Sequence, residues 1–214
     1  MNKKLHNSLM KIEKACNRKE LSAAFSQIYA HIESLHEEKI EIGADYELPA
    51  SMRGIEGSYV IYSDGACRGN PGPGSYGCFA QNWLGEIIFE QAEVYKNTTN
   101  NRMELLGVIE GIKSLGSYLN AKDQSISSVK IVIVTDSKYV VDGTSKWMDG
   151  WKARGWKKAD KKPPENVEMW QSLDVLKQKI GNNLSLEWVK GHSGHPQNER
   201  CDQLANMALD NEGF

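Results

Sequence analysis

The sequence predicts an α/β protein: a mixed five-stranded sheet with helices on both faces, preceded by a small α-helical segment. Three observations carry this expectation. Short apolar, β-branched runs such as Tyr59–Asp64 and Val129–Asp136 alternate with stretches whose apolar residues recur every three or four positions. Gly, Pro and Asn clusters punctuate them. The first 42 residues differ in texture from everything after Ser58.

In order, Tyr59 to Asp64 reads as a strand and Asn70-Pro-Gly-Pro-Gly74 as a turn cluster. Tyr76 to Trp83 and Ile87 to Tyr95 read as two more strands joined by a tight turn at Leu84-Gly85. Asn101 to Leu119 is helical, with Leu105, Val108, Ile109 and Ile112 on one face. Then come a strand over Lys130–Thr135, a short helix over Ser137–Gly143 and a longer one over Val167–Ile180. Leu184–Val189 is the last strand and Pro196–Leu209 the last helix, with proline at its first turn. Residues 43–57 carry Gly43, Pro49, Gly54 and Gly57 with little periodicity and read as a linker, which leaves 58–214 as the main domain.

Residues 1–42 carry two narrow apolar seams, Leu5, Leu9, Ile12, Cys16 and Leu21, Phe25, Ile28, Ile32, Leu35. The phase slips across Asn17-Arg-Lys, so two helices or a kinked one are expected. Short helices with such a seam need a partner to cover it. The main domain, the other helix and a second copy of the chain, giving a homodimer, all qualify.

Composition fits a soluble globular protein: 214 residues, 40% hydrophobic, 25% charged, net charge −2. No run reaches membrane-spanning length, and no apolar stretch follows the basic start, so no membrane partner is expected. Four cysteines without a C-x-x-C pair point to reduced thiols and a cytoplasmic location.

Four carboxylates stand out. Asp64 and Asp136 each end an apolar strand, Glu104 opens a helix, and Asp202 follows the glycine-flanked His192. Each has a bland reading: turn chemistry at Asp64-Gly65, helix capping at Asn101-Arg-Met-Glu104 and at Asp136-Ser137, a solvated helix face for Asp202. Together they suggest a hard, oxygen-rich site suited to Mg²⁺, and hence to phosphate chemistry. His192, between two glycines, suits a proton relay near neutral pH. His195, ahead of Pro196, reads as a helix-entry residue. The segment Lys146–Lys162 holds seven Lys/Arg against two Asp and interleaves Trp147, Trp151 and Trp156 with the cations. Indoles there offer stacking faces or prop a small helix upright, while the cations meet phosphates.

At this point five motifs fall in one order: Ser63-Asp-Gly-Ala-Cys67-Arg-Gly-Asn70-Pro-Gly-Pro-Gly74, Thr98-Thr-Asn-Asn-Arg-Met-Glu104, Thr135-Asp-Ser-Lys138, Trp151-Lys-Ala-Arg-Gly-Trp156, and Lys190-Gly-His192 through Asp202. From Ser58 onward the sequence resembles a bacterial-type ribonuclease H of type 1. The resemblance implies a ribonuclease H-like fold and an endonuclease that cuts the RNA strand of an RNA–DNA hybrid, leaving 5′-phosphate and 3′-hydroxyl ends. It implies two Mg²⁺ ions, with Mn²⁺ as a substitute, on Asp64, Glu104, Asp136 and Asp202, and His192 assisting proton transfer or product departure. It further implies minor-groove contacts from Cys67, Asn70, Asn100 and Asn101, a DNA phosphate on Thr99 and a DNA channel lined by Trp147. The stretch with Trp151, Lys152, Arg154, Trp156, Lys157, Lys158, Lys161 and Lys162 resembles the family's basic protrusion. Lys138 stands where many relatives carry glutamine, which would add a phosphate contact. Residues 1–57 depart from the family's small hybrid-binding domain: nine acidic against eight basic residues lack its electrostatics. Competing readings are another nuclease of this fold class, such as a junction resolvase, and a silent hybrid-binding module that would have lost a carboxylate.

Overall fold

The computed structural model describes residues 46–214. Five strands, β1 (Tyr59–Cys67), β2 (Gly72–Asn82), β3 (Ile87–Thr98), β4 (Ile131–Thr135) and β5 (Leu184–Trp188), form one sheet in the order β3-β2-β1-β4-β5. The first three pair antiparallel, while β4 runs parallel to β1 and β5 parallel to β4. The helices are α1 (Asn100–Asn120), α2 (Lys138–Asp142), α3 (Met148–Ala153), α4 (Val167–Ile180) and α5 (Pro196–Asn211). This is the mixed five-stranded sheet expected from the sequence. No described helix is long and apolar enough to cross a membrane.

Side chains alternate across a strand, so a strand buried on both faces reads as an unbroken apolar run. On one face Tyr59, Ile61, Ile131 and Ile133 meet Leu105, Val108 and Ile112 of α1 and Trp170 and Leu173 of α4. On the other, Val60, Tyr62, Val132 and Val134 meet Cys201 of α5. Each such fully buried aliphatic side chain contributes about 1.5–3 kcal/mol, which pins β1 and β4 at the centre. α5 lies hard against β2: a Cβ on Gly77 would sit 2.1 Å from the Cys201 carbonyl oxygen.

Two expectations change. Of the stretch read as a linker, residues 46–57 cover the α5 side of the sheet. Met52 is fully buried among Val60, Tyr62 and Phe79, Gln197 Nε2 donates to the Glu47 carbonyl at 2.8 Å, and Lys130 Nζ donates to the Ser51 carbonyl at 3.2 Å. Apolar residues spaced without period can still fill a gap in a core, which is why the sequence hid this role. The short helix does not stop at Gly143 either. It passes through a wide five-residue turn, Gly143–Trp147, into α3. The helices read over residues 1–42, and self-association through them, lie outside the described residues.

Candidate active site

In the parallel β1–β4 pair Tyr62 stands opposite Val134. Two residues further along each strand direction come Asp64 and Asp136, so the register itself brings them side by side. Glu104, one turn into α1, completes the group: carboxylate oxygens of Asp64, Glu104 and Asp136 lie within 4.8 Å of one another. The bland capping readings fail here. Thr99 caps α1 without a side-chain bond, and Glu104, as it reaches the cluster, meets the side-chain amide of Asn100 rather than a backbone N–H of the helix start. Ser137, not Asp136, caps α2, accepting the Val140 N–H at 3.4 Å.

The cluster is short of compensating donors. Asp64 Oδ1 accepts the Gly65 N–H at 2.7 Å and Oδ2 accepts Asn198 Nδ2 at 3.3 Å. Glu104 Oε1 accepts Asn100 Nδ2 at 3.3 Å, while its buried Oε2 has no partner. Burial, reinforced by Asp136 and Asp202 against the Gly65 and Asn198 bonds, pushes Asp64 up to about 8. Burial, then Asp64 and Asp136, holds Glu104 well above the usual carboxylate range. Buried carboxylates with an unpartnered oxygen cost free energy unless a cation joins them. An all-oxygen set of three fits a hard divalent ion.

Asp202, half-buried on α5, is outside this trio. Its Oδ1 accepts Asn206 Nδ2 at 2.8 Å, though it stands near enough to raise Asp64. His192 is exposed, at φ +50°. Its loop is tied to the cluster by Gly191, where a Cβ would fall 2.1 Å from Asp136 Oδ2. His195 occupies the N-cap position of α5.

Cys67, Asn70, Thr99 and Asn100 come together next to Glu104: Asn70 Oδ1 accepts the Asn100 N–H at 3.3 Å, and Cys67 Sγ lies 3.7 Å from the Thr98 carbonyl. Asn101 is exposed on the same turn. Trp147 is 37% exposed. Trp151 and Trp156, read as stacking faces or as props for a small helix, pack half-buried against the main core, with Trp151 edge-on to Trp170 at 5.5 Å. They prop the protrusion up. Lys152 is drawn down to Asp174 at 2.8 Å, Lys158 stands 3.9 Å from Asp160, and Arg154 Nε donates to the Lys157 carbonyl at 3.1 Å. Among the described residues Lys157, Lys161 and Lys162 make no ion pair. Asn198 and Trp188 were not singled out by sequence. Asn198 had a signal, its i, i+4 position relative to Asp202 on α5; Trp188 had none.

A model of the RNase H family matches residues 56–210, which span the sheet, the cluster and α5. The chain belongs to the ribonuclease H family. A ribonuclease H from Alcanivorax borkumensis is 46% identical over 151 residues, covering 71% of this chain and 91% of that protein. Among solved structures, the compost-derived LC11-RNase H1 superposes with a TM-score of 0.57 at 25% identity, covering 73% of this chain and 98% of that one. The same protein solved with an RNA/DNA hybrid gives a TM-score of 0.55 at 23% identity, covering 72% and 99%. As a ribonuclease H, the chain is a hydrolase that cleaves the RNA strand of RNA–DNA hybrids, and its carboxylate cluster is compatible with the metal-dependent catalysis of that family.

Proposed function

We propose that this is a type 1 ribonuclease H working with two Mg²⁺ ions, Mn²⁺ being a substitute, on Asp64, Glu104, Asp136 and Asp202. The observation that carries this reading is the buried trio whose oxygens lie within 4.8 Å, with Glu104 Oε2 left unpartnered. When bound, the ions supply an activated water and a stabilised leaving oxygen. The chain's own groups do the rest. Asp64 and Glu104 release protons as they become ligands, and Asn100 and Asn198 keep their carboxylates turned inward. A bond forms between water oxygen and phosphorus as the bond to the 3′ oxygen breaks. The His192 imidazole takes the proton that the attacking water releases, and a proton from solvent joins the departing 3′ oxygen, leaving a 5′-phosphate and a 3′-hydroxyl.

Substrate choice rests on the small polar surface of Cys67, Asn70, Asn100 and Asn101, sized to read 2′-hydroxyls in a wide minor groove. Thr99 takes a DNA phosphate, Trp147 lines the DNA strand, and Lys157, Lys161 and Lys162 grip the backbone beyond. The solved complex of LC11-RNase H1 with an RNA/DNA hybrid supports that substrate. Free thiols at Cys67, Cys78 and Cys201 support a reducing cytoplasm.

The test uses one end-labelled strand pair as RNA–DNA hybrid, RNA duplex and DNA duplex, each with Mg²⁺ and with excess chelator. Cutting confined to the RNA of the hybrid and abolished by chelator is expected. Hybrid retained uncut would favour a binding module, and cutting of DNA would favour a resolvase.

A further inference from the structure

Of the three clustered carboxylates, Asp136 alone belongs to neither a strand nor a helix. It fills the gap between Thr135, the last residue of β4, and Ser137, the cap of α2. A ligand in such a gap aims true only if the peptide groups on either side of it are fixed. Both are. On the near side the Thr135 carbonyl accepts the Val189 N–H at 3.1 Å; on the far side the Ser137 N–H donates to Thr135 Oγ1 at 3.1 Å and the Asp136 carbonyl accepts the indole N–H of Trp188 at 2.9 Å.

Trp188 is placed for this by the sheet. It ends β5 opposite Thr135, and the ladder closes one residue later as the Val189 N–H donates to the Thr135 carbonyl at 3.1 Å. The indole is 44% exposed, so packing alone does not hold it. Lys138 does: its Nζ stands over the ring, 4.8 Å from the centroid. Lys138 opens α2, two residues after Asp136, so the cation, the ring and the ligand carbonyl form one closed arrangement. Three residues past Trp188, Gly191 leaves the room that Asp136 Oδ2 occupies. The end of β5 therefore secures this ligand from its main chain and spares space for its carboxylate.

We propose that Trp188 is a positioning residue for Asp136, its indole N–H fixing the carbonyl so that the carboxylate faces Asp64 and Glu104, with Lys138 keeping the ring in place. The proposal rests on the reading that the cluster holds divalent cations.

The experiment titrates Mg²⁺ alone, without nucleic acid, into the full-length protein and follows amide shifts around the cluster by NMR. Trp188→Phe keeps a ring and deletes the donor. Trp188→His also loses the larger ring but returns an N–H at the matching ring position. Losing a group that orients a metal ligand weakens ion binding by about tenfold or more, so Trp188→Phe is expected to raise the Mg²⁺ dissociation constant by about that factor. Trp188→His is expected to recover much of the loss, and the KM for hybrid to stay near wild type in both. Because both variants forfeit the indole's packing, the difference between them reads the donor alone, even if each loses some stability. Equal Mg²⁺ constants in wild type and Trp188→Phe, or equal losses in the two variants, would overturn the proposal. A wild-type protein that takes up no Mg²⁺ at the cluster would overturn the reading of the site itself, and the proposal with it.

Discussion

Replacing Asp64 with asparagine should abolish cleavage and, at the same time, make the ion-free protein more stable. The carboxylate is only 6% exposed, and burial together with Asp136 lifts it from 3.8 to about 8. Between those values the unfolded chain has released this proton and the folded chain still holds it. Stability of the ion-free protein therefore falls as pH rises from about 4 to about 8, by about 1.4 kcal/mol per unit for a single group. At pH 7 the gross penalty approaches about 4 kcal/mol; because the proton is shared among coupled carboxylates, about 2–3 kcal/mol is a realistic recovery. Asparagine carries no such penalty and preserves the local bonds. Its amide oxygen takes the Gly65 N–H, and Asn198, whose Oδ1 has no partner, turns to accept from the new amide. For a domain of this size about 1 kcal/mol moves Tm by about 2–4 °C, so Asp64→Asn should melt about 4–12 °C above wild type at pH 7–8 in chelator. At pH 4 the gain should vanish. Differential scanning calorimetry in chelator at both pH values measures this directly. A variant that melts at or below wild type at pH 8, or a gain independent of pH, would refute the electrostatic account of the cluster.

Gly191→Ala places a methyl against Asp136 Oδ2 and should raise the Mg²⁺ needed for half-maximal activity with little change in Tm, as read from a metal titration. Replacing Lys157, Lys161 and Lys162 together with alanine should leave Tm alone, raise KM for hybrid and flatten its salt dependence by about 0.7–0.9 per lost phosphate contact. Lys152→Met should instead lower Tm, because it leaves the buried Asp174 carboxylate unpaired; matched melting and salt-dependence curves separate the two. Arg200→Ala breaks a two-pronged bond to Glu90, 2.8 Å on each arm and largely buried, and should cost about 3–5 kcal/mol in urea unfolding.

Much of the fold could be read from the chain because the central strands are buried on both faces. Val60 and Ile61 both had to be apolar, and so did Val132 and Ile133, which leaves runs too uniform to mistake. Helix α4 was expected over Val167–Ile180 and lies there. Strands β1 and β2 run on further than expected, Cys67 still pairing with Gly74, because glycines that read as a turn also let two backbones continue side by side. The turn at Gly143–Trp147 escaped notice because one extra residue per turn breaks the 3.6-residue rhythm on which helix recognition depends. At the site, strand ends announced Asp64 and Asp136. The tasks of Trp151 and Trp156 could not be read in the same way. An indole among lysines looks alike whether its face meets a nucleotide or a core, and only the distant Trp170 decides which. Asn198 and Trp188 act through hydrogen bonds to residues 134 and 52 positions away, a relation no local pattern records.

Gly77 offers no group to any chemistry, yet α5 passes directly over it, the Cys201 carbonyl lying where a Cβ would stand. That helix carries Asn198, which braces Asp64, and Asp202, the carboxylate just outside the trio. Because the Gly77 backbone meets the Cys201 carbonyl with no side chain between them, the height of α5 above the sheet is set by a missing methyl. A single added carbon would lift the helix like a shim under a beam. The fourth acid would retreat from the other three while every acidic residue remained in place. The spacing of the centre is thus held by the residue paired with Asp64 across β1 and β2, a position that a survey of reactive groups would pass over.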